Sequence, residues 1–150
     1  MSRDRPELLH STSAEETFAV GERLGARIAG AARDGVVVLL EGPLGAGKTV
    51  LAKGVARALG IQDQVISPTY TIISEYSAGA VRLYHVDLYR IEGRDQMENL
   101  GLEDIVRGNG VVLVEWGEKI EPGLLGAHIT VTIGLAADGG RDIRVEDRPS

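Results

Sequence analysis

An unbroken apolar run, Val36-Val37-Val38-Leu39-Leu40, leads through Glu41 into Gly42-Pro43-Leu44-Gly45-Ala46-Gly47-Lys48-Thr49. This junction constrains the fold more than any other stretch. A β-branched-rich run without alternation reads as a strand buried on both faces, which implies layers above and below a sheet. The residues after it, Leu51, Val55 and Leu59, fall on one face of a helix that stops at Gly60. Between strand and helix, Gly42, Gly45 and Gly47 let backbone amides turn inward toward an anion, and Leu44 and Ala46 complete the turn. The helix N-terminus adds the positive end of its dipole. Lys48, one of three lysines in the chain, is spaced to reach β- and γ-phosphates, and Thr49 to offer a hydroxyl to magnesium. The reading is a phosphate loop for ATP or GTP with Mg2+. Lys48 is expected at the surface of that site, its charge facing phosphate.

The rest of the chain extends this unit. Ser13-Ala14-Glu15-Glu16 is a capping box opening a helix with Phe18, Gly21, Leu24 and Ile28 at helical spacing. Pro68 marks a break, and Tyr70 to Tyr76 has strand composition. Val81 to Val86 and Val111 to Val114 read as strands, and Asp95 to Leu100 and Glu103 to Val106 as short helices. Ile129 to Ile133 and Ile143 to Val145 read as late strands around the turn Asp138-Gly139-Gly140. The expected fold is α/β, a three-layer P-loop NTPase-like domain with a mixed, largely parallel central sheet. One domain is expected over residues 13–147, with a flexible N-terminus at 1–12 and a tail at 148–150.

Two of these strands each end in an acid, Asp87 after Val86 and Glu115 after Val114. Ligands of open α/β sheets bind beyond the carboxyl ends of strands, and magnesium beside a phosphate loop takes a carboxylate there. An acid at a strand end is often merely solvated, but the phosphate loop in the same chain favours a site role for both. Thr69 lies where nucleotide-sensing loops place a threonine, and a plain turn explains it equally well. His85 suits a packed core histidine as well as a catalytic one. Trp116, beside Glu115, reads as packing and as a spectroscopic reporter.

The net charge of −6 disfavours wrapping nucleic acid unaided. With no cysteine, the chain has no disulfide scaffold, thiolate metal site or cysteine nucleophile. Its longest apolar runs are of strand length, and a cytoplasmic protein is expected.

The phosphate loop, Ser67-Pro68-Thr69-Tyr70-Thr71, His85-Val86-Asp87-Leu88-Tyr89-Arg90 and Val114-Glu115-Trp116, in this order and spacing, resemble the TsaE family. The resemblance runs from about residue 13 to 146. It implies a small bacterial ATPase needed to make N6-threonylcarbamoyladenosine in tRNA. TsaD, with TsaB beside it, would transfer the threonylcarbamoyl group and hold the tRNA, and ATP hydrolysis here would support repeated turnover. By motif match, Lys48 would bind phosphate, Thr49 and Glu115 would ligate Mg2+, and Asp87 would be the catalytic or water-positioning acid. Ser67, Pro68 and Thr69 would form a switch-like loop. Arg141 would contact the nucleotide, and Ser13 to Thr17 would lie near its base.

Two other classes compete. A regulatory GTP switch normally carries an Asn-Lys-x-Asp segment, which this chain lacks. A small-molecule kinase needs an arginine-rich lid, and Arg90, Arg94 and Arg107 are scattered.

Overall fold

The computed structural model describes residues 5–32, 34–43, 45–62 and 72–149. Seven strands form one sheet in the order β1-β7-β6-β2-β5-β4-β3. They are β1 (Glu7–Ser11), β2 (Val36–Glu41), β3 (Ile73–Ala78), β4 (Val81–Asp87), β5 (Val111–Glu115), β6 (His128–Leu135) and β7 (Arg141–Arg148). The four central strands, β6-β2-β5-β4, run parallel, and the outer pairings β1–β7, β7–β6 and β4–β3 are antiparallel. The sheet is mixed as expected, with its parallel part confined to the middle. No helix among the described residues is long and apolar enough to cross a membrane.

Helices α1 (Ala14–Ile28) and α2 (Lys48–Ala58) cover one face, and α3 (Gly93–Asn99) and α4 (Leu102–Val106) cover part of the other. Val38 and Leu40 of β2 point into the α1–α2 layer with Leu51, Val55 and Leu113, whereas Val37 and Leu39 point into the opposite layer with Leu102, Val112 and Val114. Burial on both faces is why the run carries no polar alternation.

Helix α1 begins with the expected cap: Ser13 Oγ accepts from Glu16 N–H at 3.1 Å. The Glu16 carboxylate reaches one residue further back than a standard capping box, accepting from the Thr12 amide and hydroxyl, each at 2.6 Å. These bonds hold its pKa below the ordinary glutamate value, the Thr12 hydroxyl contributing most.

Two expectations at the chain ends need correction. Strand β1 lies within the stretch expected to be flexible, and β7 continues to Arg148. β1 is a five-residue edge strand held by antiparallel pairing with β7, from Glu7 opposite Val145 to Ser11 opposite Arg141. Only Leu9 turns an apolar side chain toward the core, so the local pattern is weak and a distant partner supplies the order.

Helices α1 and α2 cross at backbone contact. A methyl at Gly54 would lie 2.1 Å from the Phe18 carbonyl oxygen, and one at Gly21 would lie 2.1 Å from that of Leu51. Alanine in an uncrowded helix gains up to about 1 kcal/mol over glycine. Here overpacking reverses the sign: Gly54→Ala is expected to lose roughly 1–3 kcal/mol of stability, read as a lower denaturation midpoint with an unchanged denaturant slope. A variant as stable as the parent would show that the helices do not cross this closely.

Candidate functional site

Strand β2 delivers the chain into the glycine loop at the carboxyl ends of the parallel strands. Leu40 lies opposite Glu115 across the β2–β5 ladder, and Asp87 lies opposite Glu115 across β4–β5. The Trp116 amide donates to Leu40 O at 3.0 Å, closing this corner. Gly42 has φ +148°, and a side chain there would lie 2.3 Å from Ile133 O on β6, so the loop can hug the sheet only with glycine. Gly47, at φ +110°, is the N-cap of α2 and brings no side-chain cap to its first amides. Such a helix start is suited to an anion. Leu44 lies outside the described residues.

Lys48 is not at the surface of the site, contrary to the sequence expectation. The residue is 4% exposed. Its ammonium donates to Gly42 O and, at 3.2 Å, to Pro43 O, and it lies 3.8 Å from the centre of the Trp116 ring. Burial lowers its pKa from the ordinary lysine value, against the smaller opposing pull of Glu118, Glu115 and Asp87. The lid over this lysine is Trp116, the one described non-glycine residue in the left-handed region, at φ 64°. Its ring also stacks at a tilt on Tyr89, centroids 5.2 Å apart. Strained backbone of this kind clusters at functional sites.

Thr49 and Glu115 do come together. The Thr49 hydroxyl lies 2.9 Å from one carboxylate oxygen of Glu115 and 3.1 Å from the other. His85 donates from Nε2 to the nearer of these oxygens at 2.6 Å, a contact that pattern reading did not single out. Asp87 sits at the adjacent strand end, with one oxygen accepting from the Tyr89 amide at 3.0 Å. Two hard oxygen donors facing each other beside a glycine loop suit a small divalent cation such as Mg2+.

Arg141 is tied to the loop from the opposite side. Its guanidinium donates to Ala46 O at 2.9 Å and Gly45 O at 3.3 Å. It also donates to Gly139 O and Gly140 O, both at 3.1 Å. A pocket of about 280 Å³ opens here, with Ser13, Gly47 and Arg141 in its wall. Thr17, from the Ser13 to Thr17 stretch, lines it too, as do Ser11, Thr12, Val50 and the Gly139–Gly140 turn, which sequence reading did not single out. Their only signals were a helix cap and a turn. His10 braces that turn, with Nδ1 2.9 Å from Asp142 and Nε2 2.8 Å from Asp138. The two hydrogen bonds, that to Asp142 foremost, raise its pKa above the ordinary histidine value. Thr69, with Ser67 and Pro68, lies outside the described residues.

A family model described as threonylcarbamoyl adenosine biosynthesis protein TsaE matches residues 11–143. The chain belongs to the TsaE family. A Treponema pallidum relative, named tRNA threonylcarbamoyladenosine biosynthesis protein TsaE, is 38% identical over 135 residues, spanning 90% of this chain and 96% of its own length. A Bacillus subtilis protein of the same name is 46% identical over 129 residues, spanning 86% of this chain and 78% of its own. The crystal structure of Bacillus subtilis YdiB superposes with a TM-score of 0.76 at 39% identity, covering 94% of this chain and 84% of that one. The α/β fold with its glycine loop is thus the fold of this TsaE-family chain and of a solved neighbour alike.

Trp116 is the only tryptophan in this TsaE-family chain, so its emission reports the lysine beneath it. An ammonium against an indole face quenches emission by proton transfer in the excited state. Lys48→Met is therefore expected to raise Trp116 fluorescence in the ligand-free protein. An unchanged spectrum would mean that the cation–π contact does not form in solution.

Proposed function

We propose that this chain binds ATP with Mg2+ and hydrolyses it as an accessory of tRNA threonylcarbamoyladenosine formation. Its partners would be TsaD and TsaB. The observation that carries this reading is the convergence of Lys48, Thr49 and Glu115 on a glycine loop at the carboxyl ends of β2 and β5. The names of its relatives supply the pathway.

Backbone amides of Gly45, Ala46 and Gly47 would face the phosphates, and Lys48 would exchange its two loop carbonyls for phosphate oxygens. Gly42 and Leu44 would shape the turn. Thr49 and Glu115 would hold Mg2+, which supplies positive charge against the phosphate oxygens. Ser13 and Arg141 would bound the nucleoside end, in the pocket between the β1–α1 junction and the Gly139–Gly140 turn. Asp87 would orient the attacking water and accept its proton. The acidic chain would leave the tRNA to its partners, in the cytoplasm.

Catalysis by a phosphate loop needs an ordered water and added positive charge, and these are often completed by a partner. Thr69, with Ser67 and Pro68, is the proposed segment through which a partner acts. What supports that reading is the Asp87 amide, which donates to Ile72 O at 2.9 Å just beyond that segment.

Lys48→Ala is expected to leave the circular dichroism spectrum unchanged and to weaken ATP binding by roughly 100-fold, the effect of removing a buried charged contact to phosphate. Calorimetric titration checks this, and normal affinity in a folded variant would remove the phosphate-loop assignment.

Wild-type ATPase rates are expected to rise when TsaB and TsaD are added. Asp87→Ala is expected to cut the partner-stimulated rate by about 100-fold while changing ATP affinity little. Equal rates with and without partners, or a fully active Asp87→Ala complex, would overturn this mechanism.

A further inference from the structure

His85 is fully buried in the middle of the sheet, on the α2 side, and carries a hydrogen bond that packing alone does not require. On β4 it lies opposite Leu113 of β5, two positions before the Glu115 row. Its Nε2 is 2.6 Å from Glu115 Oε2, the same oxygen that lies 2.9 Å from the Thr49 hydroxyl. Its other nitrogen, Nδ1, is the one buried side-chain polar atom without a hydrogen-bond partner among the described residues. A carboxylate only accepts, so the shared proton resides on Nε2. The partnerless Nδ1 then bears a lone pair in apolar surroundings, which is less costly than stranding a second N–H there. A phenyl ring of similar size would fill this place with no orphaned nitrogen, but it would take a donor away from the buried Glu115 carboxylate. What the imidazole adds over a phenyl ring is its grip on Glu115.

We infer that His85 is a positioning residue for the Glu115 carboxylate, holding it toward Thr49 so that the two oxygen ligands are already oriented for a divalent cation. The inference rests on the metal-site reading above and adds to it the group that sets the ligand geometry. Its logic is that of outer partners around metal ligands, whose loss typically costs about 10- to 100-fold in metal affinity. Without the His85 donor, Glu115 keeps its Thr49 contact but, held by one hydrogen bond fewer, moves more about its side-chain torsions. Each cation bound must then also freeze that motion. Nucleotide contacts made by the loop amides and by Lys48 do not pass through His85. The defect should therefore be specific to the metal.

The test uses three substitutions and MgADP as the probe. Glutamine places an amide donor at the level of Nε2, asparagine places it at the level of Nδ1 and short of Glu115, and phenylalanine removes it. ADP affinity is measured by calorimetry in EDTA and across a Mg2+ titration, alongside thermal unfolding. For His85→Phe and His85→Asn, the expected result is unchanged ADP affinity in EDTA and about a 10-fold or greater rise in the Mg2+ concentration needed for tight binding. His85→Gln is expected to retain most of the wild-type response, and His85→Phe to melt below the wild-type temperature because the buried carboxylate loses a donor. Should His85→Phe not fold, the Gln–Asn pair decides alone. Equal Mg2+ responses in Gln and Asn variants, or equal losses of ADP affinity with and without Mg2+, would overturn the inference. A wild-type protein that binds ADP with no regard to Mg2+ would instead overturn the metal-site reading and this inference with it.

Discussion

Across the parallel ladders Leu40 faces Glu115, and Glu115 faces Asp87. Every group of the candidate site depends on that register. It is held by two apolar faces at once: Val38, Leu40, Val111 and Leu113 pack beneath α1 and α2, and Val37, Leu39, Val112 and Val114 pack on the other side. A slip of one residue would turn Glu115 away from Thr49 and carry it into the opposite layer. The same register brings the Trp116 amide to Leu40 O and the Leu88 amide to Glu115 O, so the turns after β4 and β5 start from fixed points.

On that frame, the charged groups are held by contacts that can be exchanged. Lys48 is buried against loop carbonyls and an indole ring, and Glu115 against a hydroxyl and an imidazole. In surroundings of low dielectric each such contact is strong, and a lost partner is costly. On the proposed function, an incoming phosphate or cation must therefore replace these bonds. Trp116 is part of that arrangement, because its left-handed backbone turns the ring over Lys48 and onto Tyr89. On the proposed function, a ligand that draws Lys48 toward phosphate also removes the contact beneath the indole, linking the buried loop to the half-exposed Tyr89 surface.

The opposite wall is built by the sheet's antiparallel edge. Strand β1 brings Ser11 beside the Gly139–Gly140 turn, and Arg141 fastens the start of β7 to the carbonyls of Gly45 and Ala46. The glycine loop is thus gripped from both sides, by Glu115 through Thr49 and by Arg141 through its own backbone. An arginine that bonds the loop carbonyls also sets a fixed guanidinium beside the pocket.

The glycine loop, its strand and its helix were legible in the residues themselves. Backbone freedom at Gly42 and Gly47, β-branching in Val36 to Val38, and the helical spacing of Leu51 and Val55 are all properties of adjacent positions. The cap at Ser13 and the acids ending β4 and β5 were legible for the same reason. Strand β1 was not, because five residues with one inward apolar side chain gain their order only from β7, more than a hundred positions away. Nor were the depth of Lys48, which depends on the conformation of Trp116, or the bond from His85 to Glu115, which depends on two strands meeting in register. Local chemistry therefore determined that a glycine loop forms after that strand and where its helix begins. Tertiary structure decided which distant side chains face it, because those proximities come from the joint packing of both sheet faces and no short stretch of chain contains them.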